Sequence, residues 1–512
     1  MLFNSIEFAL FLPVVFLLYW VLTPRNSNAF GATPRYSIFK YIGKNIGIDT
    51  QLRLQNLFVV VASYLFYGWW NWRFLLLIAF TSLCSWTSGF LISRHSDVTT
   101  GFNWSKFHLT LNIVINLLIL GFFKYYNFFV ESFVEAFALC GVTLHATTLQ
   151  IILPVGISFY TFQALSYSID IYYRKLDVCR DPVAFFAYVS FFPQLVAGPI
   201  ERATNLLPQM QRPRTFDYSK AVDGCRQMLW GLFKKIVIAD NCAVYVNEVF
   251  ANYQSQSGST LLLAAILFTF QIYGDFSGYS DIAIGCAKLF GIDLMQNFRY
   301  PYFSRDIAEF WRRWHISLTT WFRDYIYIPL GGSRTTKAKV IRNTFIIFLV
   351  SGFWHGANWT FIAWGAYHAL LFLPLILLGK NRRYTDTVAE GRLLPTLKEA
   401  FQMLLTFIIV VIGWIIFRAE NITQAWKYIC GMFNASLFNT PNFESEIYWI
   451  FLIISLTAMF IIEWLNRKNS HGLYVTSGYT SVRLIVYLLI WYAIYTSLLL
   501  SGHTETFIYF QF

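Results

Sequence analysis

Apolar stretches of roughly 17 to 25 residues, the length a bilayer core demands of a helix, recur from one end of this sequence to the other. They lie near 6 to 22, 54 to 70, 74 to 92, 108 to 123, 149 to 170, 400 to 417, 447 to 465 and 484 to 501, and the stretch 341 to 378 is long enough for two helices. Segments 182 to 200, 236 to 250 and 260 to 290 are interrupted by Pro, Gly or polar residues, which suits short, tilted or re-entrant elements. Hydropathy alone predicts about eleven spans. No polar block between them is long enough to fold by itself. Residues 1–512 therefore read as a single all-α transmembrane domain, with a core near 100–380 and extra spans near 400–501. With 56% hydrophobic residues and only 13% charged, a soluble multi-domain enzyme is excluded.

The formal charge is +12. In a soluble protein that would suggest nucleic acid, but here the basic residues sit in short loops between apolar runs, the positive-inside pattern of a multi-pass protein. Arg25, Arg35, Lys40, Lys44 and Arg53 make the first loop cytoplasmic. Alternation then places Arg94 and Lys106, Arg174, Lys175 and Arg180, Lys380 to Arg392, and Arg467, Lys468 and Arg483 on the same side. Glu131, Glu135, Glu444, Glu446 and both termini come out external. Glu7 and the lack of a basic region or a small-residue cleavage site make the first run a retained helix rather than a signal peptide. The seven cysteines show no CxxC and no even spacing, so they read as packing residues and not as a disulfide or metal framework.

Of eight histidines, His95, His108, His145, His368, His471 and His503 lie near loops or helix ends or lack polar company. His355 is different: it sits inside Ser351-Gly-Phe-Trp-His-Gly-Ala-Asn-Trp359, in an apolar stretch where an ionisable group is costly and marks function. The bland alternative is a buried imidazole bonded to a neighbouring helix, with Gly352 and Gly356 forming a small-residue packing contact. His315, in Glu309-Phe-Trp-Arg-Arg-Trp-His-Ile-Ser317, would share a helical face with Trp311, Trp314, Leu318 and Phe322, while Arg312, Arg313 and Arg323 point elsewhere. Here the alternative is an aromatic interfacial helix that happens to carry a histidine. On one continuous helix His355 and His368 would face different sides, roughly 220° apart, which argues against a paired metal site. No HExxH, GxSxG, Walker loop or GxGxxG occurs, so the usual hydrolase, zinc, nucleotide and dinucleotide readings lose their support.

Gln271-Ile-Tyr-Gly-Asp-Phe-Ser-Gly-Tyr-Ser-Asp281 breaks an apolar run with two carboxylates and several hydroxyls, a composition unsuited to lipid. Gln271 and Asp275 either line a cavity or, with Asp281, belong to a helix break whose carboxylates cap the next turn. Pro193 and Pro199 in Phe192-Pro-Gln-Leu-Val-Ala-Gly-Pro199 break any helix there. Arg212, Arg214, Lys234 and Lys235 beyond them read most simply as topology markers facing anionic lipid. The segment 288 to 342, rich in Arg, Trp, Tyr and Phe, should be interfacial or folded in from the cytoplasmic side.

These motifs resemble the bacterial branch of the membrane-bound O-acyltransferases, and within it the type formed by alginate O-acetyltransferase membrane subunits. The match includes Met1 to Phe8, Phe192 to Pro199, Gln271 to Asp281, Asn297-Phe-Arg-Tyr-Pro-Tyr302, Asp306 to Ser317, Phe353-Trp-His-Gly356 and Phe507-Ile-Tyr-Phe510, in order along nearly the whole chain. The resemblance implies a multi-helix fold around a central channel in the bacterial inner membrane, with an acyl donor arriving from the cytoplasm and an acceptor engaged opposite. It also implies two active-site histidines, His355 and His315, the former in the strictly required position.

An acyl thioester is already activated, so the enzyme must deprotonate the accepting hydroxyl and hold it against the carbonyl away from water. His355 is expected as general base, with His315 as hydrogen-bond donor to the carbonyl or as proton-relay partner. Trp354, Asn358, Gln271, Asp275, Arg312 and Arg313 are expected to line the donor channel. Arginines 305, 312, 313 and 323 would face the phosphates of acetyl-CoA, the expected donor substrate, with no bound cofactor and no metal. The resemblance further implies a polysaccharide acceptor and a separate extracytoplasmic partner protein. D-alanyl or peptidoglycan O-acyl transfer, a lipid-linked sugar transporter and a non-catalytic scaffold are the alternatives; thioester consumption separates the enzymes from the last two.

Overall fold

The apolar stretches become helix in the computed structural model, which describes residues 1–22, 48–95, 102–144, 148–196, 198–441, 446–474, 479–501 and 507–508. Every regular element among the described residues is helical. Arg25, Arg35, Lys40 and Lys44 of the first basic loop, His145, Ala197, Glu444, His503 and the closing Tyr509 and Phe510 lie outside the described residues.

Among the described residues six helices are long and apolar enough to cross a membrane by length and composition: Trp72–Arg94, Trp104–Leu139, Gly258–Leu289, Trp359–Leu377, Leu397–Arg418 and Thr480–Leu499. Two shorter apolar helices, Ile6–Val21 and Trp449–Leu465, accompany them. The all-helical, multi-pass architecture expected from hydropathy is the one observed, but individual segments differ. The stretch 149 to 170 is not one span: Pro154 and the left-handed Gly156 (φ 70°) keep its first part out of the helix, which runs from Ile157 to Tyr172. Conversely, the stretch near 260 to 290 forms one unbroken helix, Gly258–Leu289, of 32 residues, about 48 Å at 1.5 Å per residue.

The chain forms two compact units. The first comprises Met1–Cys225 and Ala283–Met295. Its helices pack through small and polar side chains, as expected where lipid removes the hydrophobic drive between helices. Ser85 Oγ donates to Asn112 Oδ1 at 3.3 Å and Asn112 Nδ2 to Ser168 Oγ at 2.9 Å, tying Leu75–Arg94, Trp104–Leu139 and Ile157–Tyr172 together. The Pro193 region breaks as expected, helix Pro182–Ser190 giving way to the four-residue turn Phe192–Leu195. Arg214 does not face lipid. It is buried, because Asn56 Oδ1 and Met210 Sδ accept from its guanidinium.

The second unit comprises Arg226–Ile282 and Gln296–Phe512. Lys234 and Lys235, expected as lipid-facing markers, are also buried here. Lys234 Nζ lies 2.6 Å from Asp281 Oδ2 and 2.8 Å from Ser277 Oγ. Lys235 Nζ lies 2.7 Å from Asp240 Oδ1 and 2.8 Å from Asp275 Oδ1. Both lysines stand in a π-helical turn, Phe233–Ala239. A Cβ on Gly278 would come within 2.7 Å of Gly231 O, and one on Gly274 within 2.9 Å of Lys234 O. Two glycines thus let the backbones approach until lysines and carboxylates meet inside. Of the two readings of Gln271 to Asp281, the helix break is absent: Asp275 and Asp281 answer lysines instead of capping a turn.

Candidate active site

His355 is the last residue of the helix Lys337–His355, which pairs as a hairpin with Trp359–Leu377 in the second unit. The connection is short because Asn358 caps the second arm, its Oδ1 accepting from Thr360 N at 2.9 Å while its Nδ2 donates to Glu420 O at 2.7 Å. Close approach of the arms depends on glycine. A Cβ on Gly352 would stand 2.2 Å from Phe361 O, and one on Gly365 would stand 2.4 Å from Phe348 O. The small-residue contact expected of Gly352 and Gly356 is therefore Gly352 with Gly365, while Gly356 lies against the Phe361 ring. Packing and chemistry coexist in this motif: the glycines build the hairpin that carries the histidine.

His355 is buried with its ring 5.1 Å from Trp354, 5.2 Å from Trp364 and 5.3 Å from Phe417. His368 lies on the other arm of the hairpin, so the two histidines do not share one continuous helix. Nor does His368 lack polar company: it is buried, and Trp311 Nε1 donates to its Nδ1 at 3.4 Å. Among the described residues no three His, Cys, Asp or Glu side chains converge to hold a metal.

His315 is not on a continuous amphipathic helix. The chain forms two short helices, Ile307–Arg313 and Ile316–Phe322, and His315 between them is left-handed (φ 43°, ψ 53°). Such a conformation costs a non-glycine residue about 1–3 kcal/mol and persists only when its surroundings enforce it. They do so through the segment 297–299. Ile316 N donates to Asn297 O at 2.8 Å, and Arg299 N donates to Arg313 O at 2.9 Å. The side chain of Asn297 completes the clamp, its Oδ1 lying 3.0 Å from His315 Nδ1, 2.9 Å from Ser317 Oγ and 3.4 Å from Ser317 N. Its Nδ2 donates to Ser280 Oγ at 3.1 Å. Burial pushes the His315 imidazole below its ordinary proton affinity, so it is neutral at physiological pH.

The two histidine rings are 6.4 Å apart and line one cavity of about 570 Å³. Trp311, Leu318, Phe348 and Phe372 give it an apolar wall, and Arg312, Arg323, Asn381, Arg382 and Thr385 contribute polar groups. Of the residues expected to line the donor channel, Arg312 borders this cavity, beside the two histidines. Trp354 instead packs on both histidines, 6.0 Å from His315 and 5.1 Å from His355. Asn358 is a cap. Asp275 is buried in the lysine network and accepts from Ile508 N at 2.6 Å, and Gln271 is buried one turn before it.

The arginines expected to face phosphates mostly hold the protein itself. Arg305 pairs with Glu309 at 3.0 Å and with Asp386 at 3.0 Å. Arg313 pairs with Glu309 at 2.8 Å and donates to Asp386 O at 3.0 Å. Arg312 donates to Asn381 O at 2.9 Å and Tyr384 O at 2.6 Å. Together they fasten the loop 381–386 beside the cavity. Two residues at the site carry no functional signal in the sequence: Asn297, and Arg382, which there reads as a topology marker and here lines the cavity. No local periodicity signals Asn297, because its partners His315 and Ser317 lie 18 and 20 residues further along the chain.

Residues 67–417 match the membrane-bound O-acyltransferase family. The chain is 42% identical to the probable alginate O-acetylase AlgI of Pseudomonas aeruginosa over 75% of this chain and 70% of that protein. It is 32% identical to the peptidoglycan O-acetyltransferase of Helicobacter pylori over 94% of this chain and 86% of the relative. Similarity to the teichoic acid D-alanyltransferase of Streptococcus thermophilus is lower, 29% over 57% of this chain and 75% of that one. The matched residues contain both cavity histidines, the glycine-packed hairpin and the Asn297 clamp, and the chain belongs to the membrane-bound O-acyltransferase family.

Proposed function

We propose that this chain is the membrane subunit of an O-acetyltransferase. It moves an acetyl group from cytoplasmic acetyl-CoA toward hydroxyls of an extracytoplasmic polysaccharide, with a separate extracytoplasmic protein completing delivery. Residues 1–512 act as one catalytic domain in the bacterial inner membrane, with both termini outside. The observation that carries this reading is the apolar cavity with His315 and His355 on its wall. A largely apolar pocket of that size suits the acylated end of a thioester. The greater identity to the alginate O-acetylase than to the D-alanyltransferase supports acetyl as the group transferred.

His355 takes the proton of the accepting hydroxyl. The oxygen attacks the thioester carbonyl, the C–S bond breaks, and the thiolate leaves with that proton returned to it, so the reaction needs no other proton source. Among the arginines at the cavity, Arg382 and Arg323, the latter also paired with Asp324 at 2.7 Å, would meet donor phosphates.

The test is release of free thiol from acetyl-CoA by purified protein with its partner and acceptor, comparing wild type with His355→Ala and His315→Ala at matched folded yield. Loss in His355→Ala by at least about a hundredfold, with a smaller loss in His315→Ala, is expected from the usual worth of a general base. Turnover of a D-alanyl carrier thioester in place of acetyl-CoA would overturn the donor assignment. Undiminished turnover in both variants would overturn the site.

A further inference from the structure

The Oδ1 of Asn297 faces three groups at once, and one of them identifies it. Ser317 N can only donate, so the atom it meets is the carbonyl oxygen of the side chain and not its amide nitrogen. The nitrogen accordingly points the other way and donates to Ser280 Oγ. A carbonyl oxygen cannot donate. His315 Nδ1, 3.0 Å from it, must therefore carry the hydrogen, and in a neutral imidazole that leaves the lone pair on Nε2. The contact is not adjustable. The main chains of Asn297 and Ile316 are bonded to each other, and His315 is held left-handed between two helices.

We infer that Asn297 is a positioning residue that locks His315 in its Nδ1–H tautomer, so that His315 serves the reaction as a proton acceptor at Nε2 and not as a hydrogen-bond donor to the thioester carbonyl. This rests on the function proposed above and selects the relay role from the two open to His315. The hydroxyl proton taken by His355 reaches the departing thiolate through His315 Nε2 as the O–C bond forms and the C–S bond breaks. The ring centres are too far apart for one imidazole to donate straight to the other, so one hydroxyl group, of water or of the acceptor, bridges them.

The surroundings of His315 hold few charges that could override this control. The helix Gly258–Leu289 presents Phe276, 4.6 Å away ring to ring, and the neighbouring Asp275 is engaged by Lys235. Phe298 covers a second face, and the hairpin adds Trp354 and the titratable His355. The remaining charges are Arg312, Arg323 and Arg382, elsewhere on the cavity wall.

The experiment is the pH dependence of kcat/KM for thioester consumption by the full chain with its partner and acceptor, in wild type, Asn297→Asp and Asn297→Ala. It is paired with 15N spectra of histidine-labelled protein in which His315→Gln identifies the His315 signals. The carboxylate introduced by Asn297→Asp is a stronger acceptor for the same Nδ1–H and favours the imidazolium. In that variant the His315 signals in the 15N spectra should therefore titrate about one pH unit higher than in wild type, roughly tenfold in proton affinity. In Asn297→Ala the plateau should fall about tenfold or more. The wild-type spectrum should show hydrogen on Nδ1 and none on Nε2, and it decides by itself if the variants fail to fold. Hydrogen on Nε2, an unmoved His315 titration in Asn297→Asp, or a rate that rises as His315 protonates would each overturn the inference. If His315→Ala and His355→Ala both keep wild-type turnover, the function reading fails instead.

Discussion

Gly352→Ala should cripple turnover while leaving the protein folded. The added Cβ would stand 2.2 Å from Phe361 O. An ordinary carbon–oxygen contact is about 3.3 Å or more, so the two arms of the hairpin must part by about 1 Å. Neither side can yield cheaply, since the opposing atoms are all backbone, Phe361 C following at 3.0 Å and Gly365 Cα at 3.5 Å. Overpacking of this kind costs about 1–3 kcal/mol, which lowers the stability of a large membrane protein without abolishing its fold. The larger effect is on chemistry. His355 lies one helical turn beyond Gly352 at the end of the same arm, and a misplacement of about 1 Å at a reacting group costs on the order of a hundredfold, or about 2.7 kcal/mol of activation energy. The assay is thiol release from acetyl-CoA at matched folded yield, with thermal unfolding in parallel. Gly365→Ala, whose Cβ would meet Phe348 O at 2.4 Å, should act alike. The double variant should lose less than the sum, because arms already parted accept the second methyl at little further cost. Wild-type turnover in Gly352→Ala would refute the link between arm spacing and histidine placement.

Lys235→Met should destabilise the protein by about 3–5 kcal/mol, because it leaves Asp240 and Asp275 buried without their cation; thermal unfolding in detergent reads this, and adding Asp240→Asn and Asp275→Asn should restore most of it. The hydrogen bonds from Arg305 hold the Asp386 carboxyl below its ordinary range. Their stabilisation of the loop 381–386 is complete above the ordinary aspartate value of about 3.9 and is lost as pH falls through the lowered one. Amide exchange of that loop should accelerate over that window in wild type and lack the dependence in Asp386→Asn.

What could be read from the amino acids alone follows the range of the interactions involved. His355 was legible because an ionisable residue between glycines in an apolar run is anomalous within nine residues of sequence. His315 was legible as a residue and not as a conformation: the left-handed break depends on Asn297, which no helical periodicity around Trp311 to Phe322 can reveal. The lysines at 234 and 235 were misplaced because their carboxylates at 275 and 281 lie on another helix, and a pair of basic residues near an apolar run looks the same whether it faces lipid or a buried aspartate. The arginines of 305 to 313 were assigned to a ligand for the same reason. Glu309 pairs with two of them from within the segment, but their other partners, Asp386 and the carbonyls of Asn381 and Tyr384, come some seventy to eighty residues later.

The lysine network also sets an order of events during synthesis. A lysine in the hydrocarbon core costs about 2.5–3.5 kcal/mol even by the most lenient insertion scales, and the π-helical turn brings two of them at adjacent positions. Asp240 accompanies them in the same segment, but Asp275 and Asp281 emerge from the ribosome only with Gly258–Leu289. Until that later helix has been made, Asp240 is the only one of the three carboxylates present to offset the two lysines.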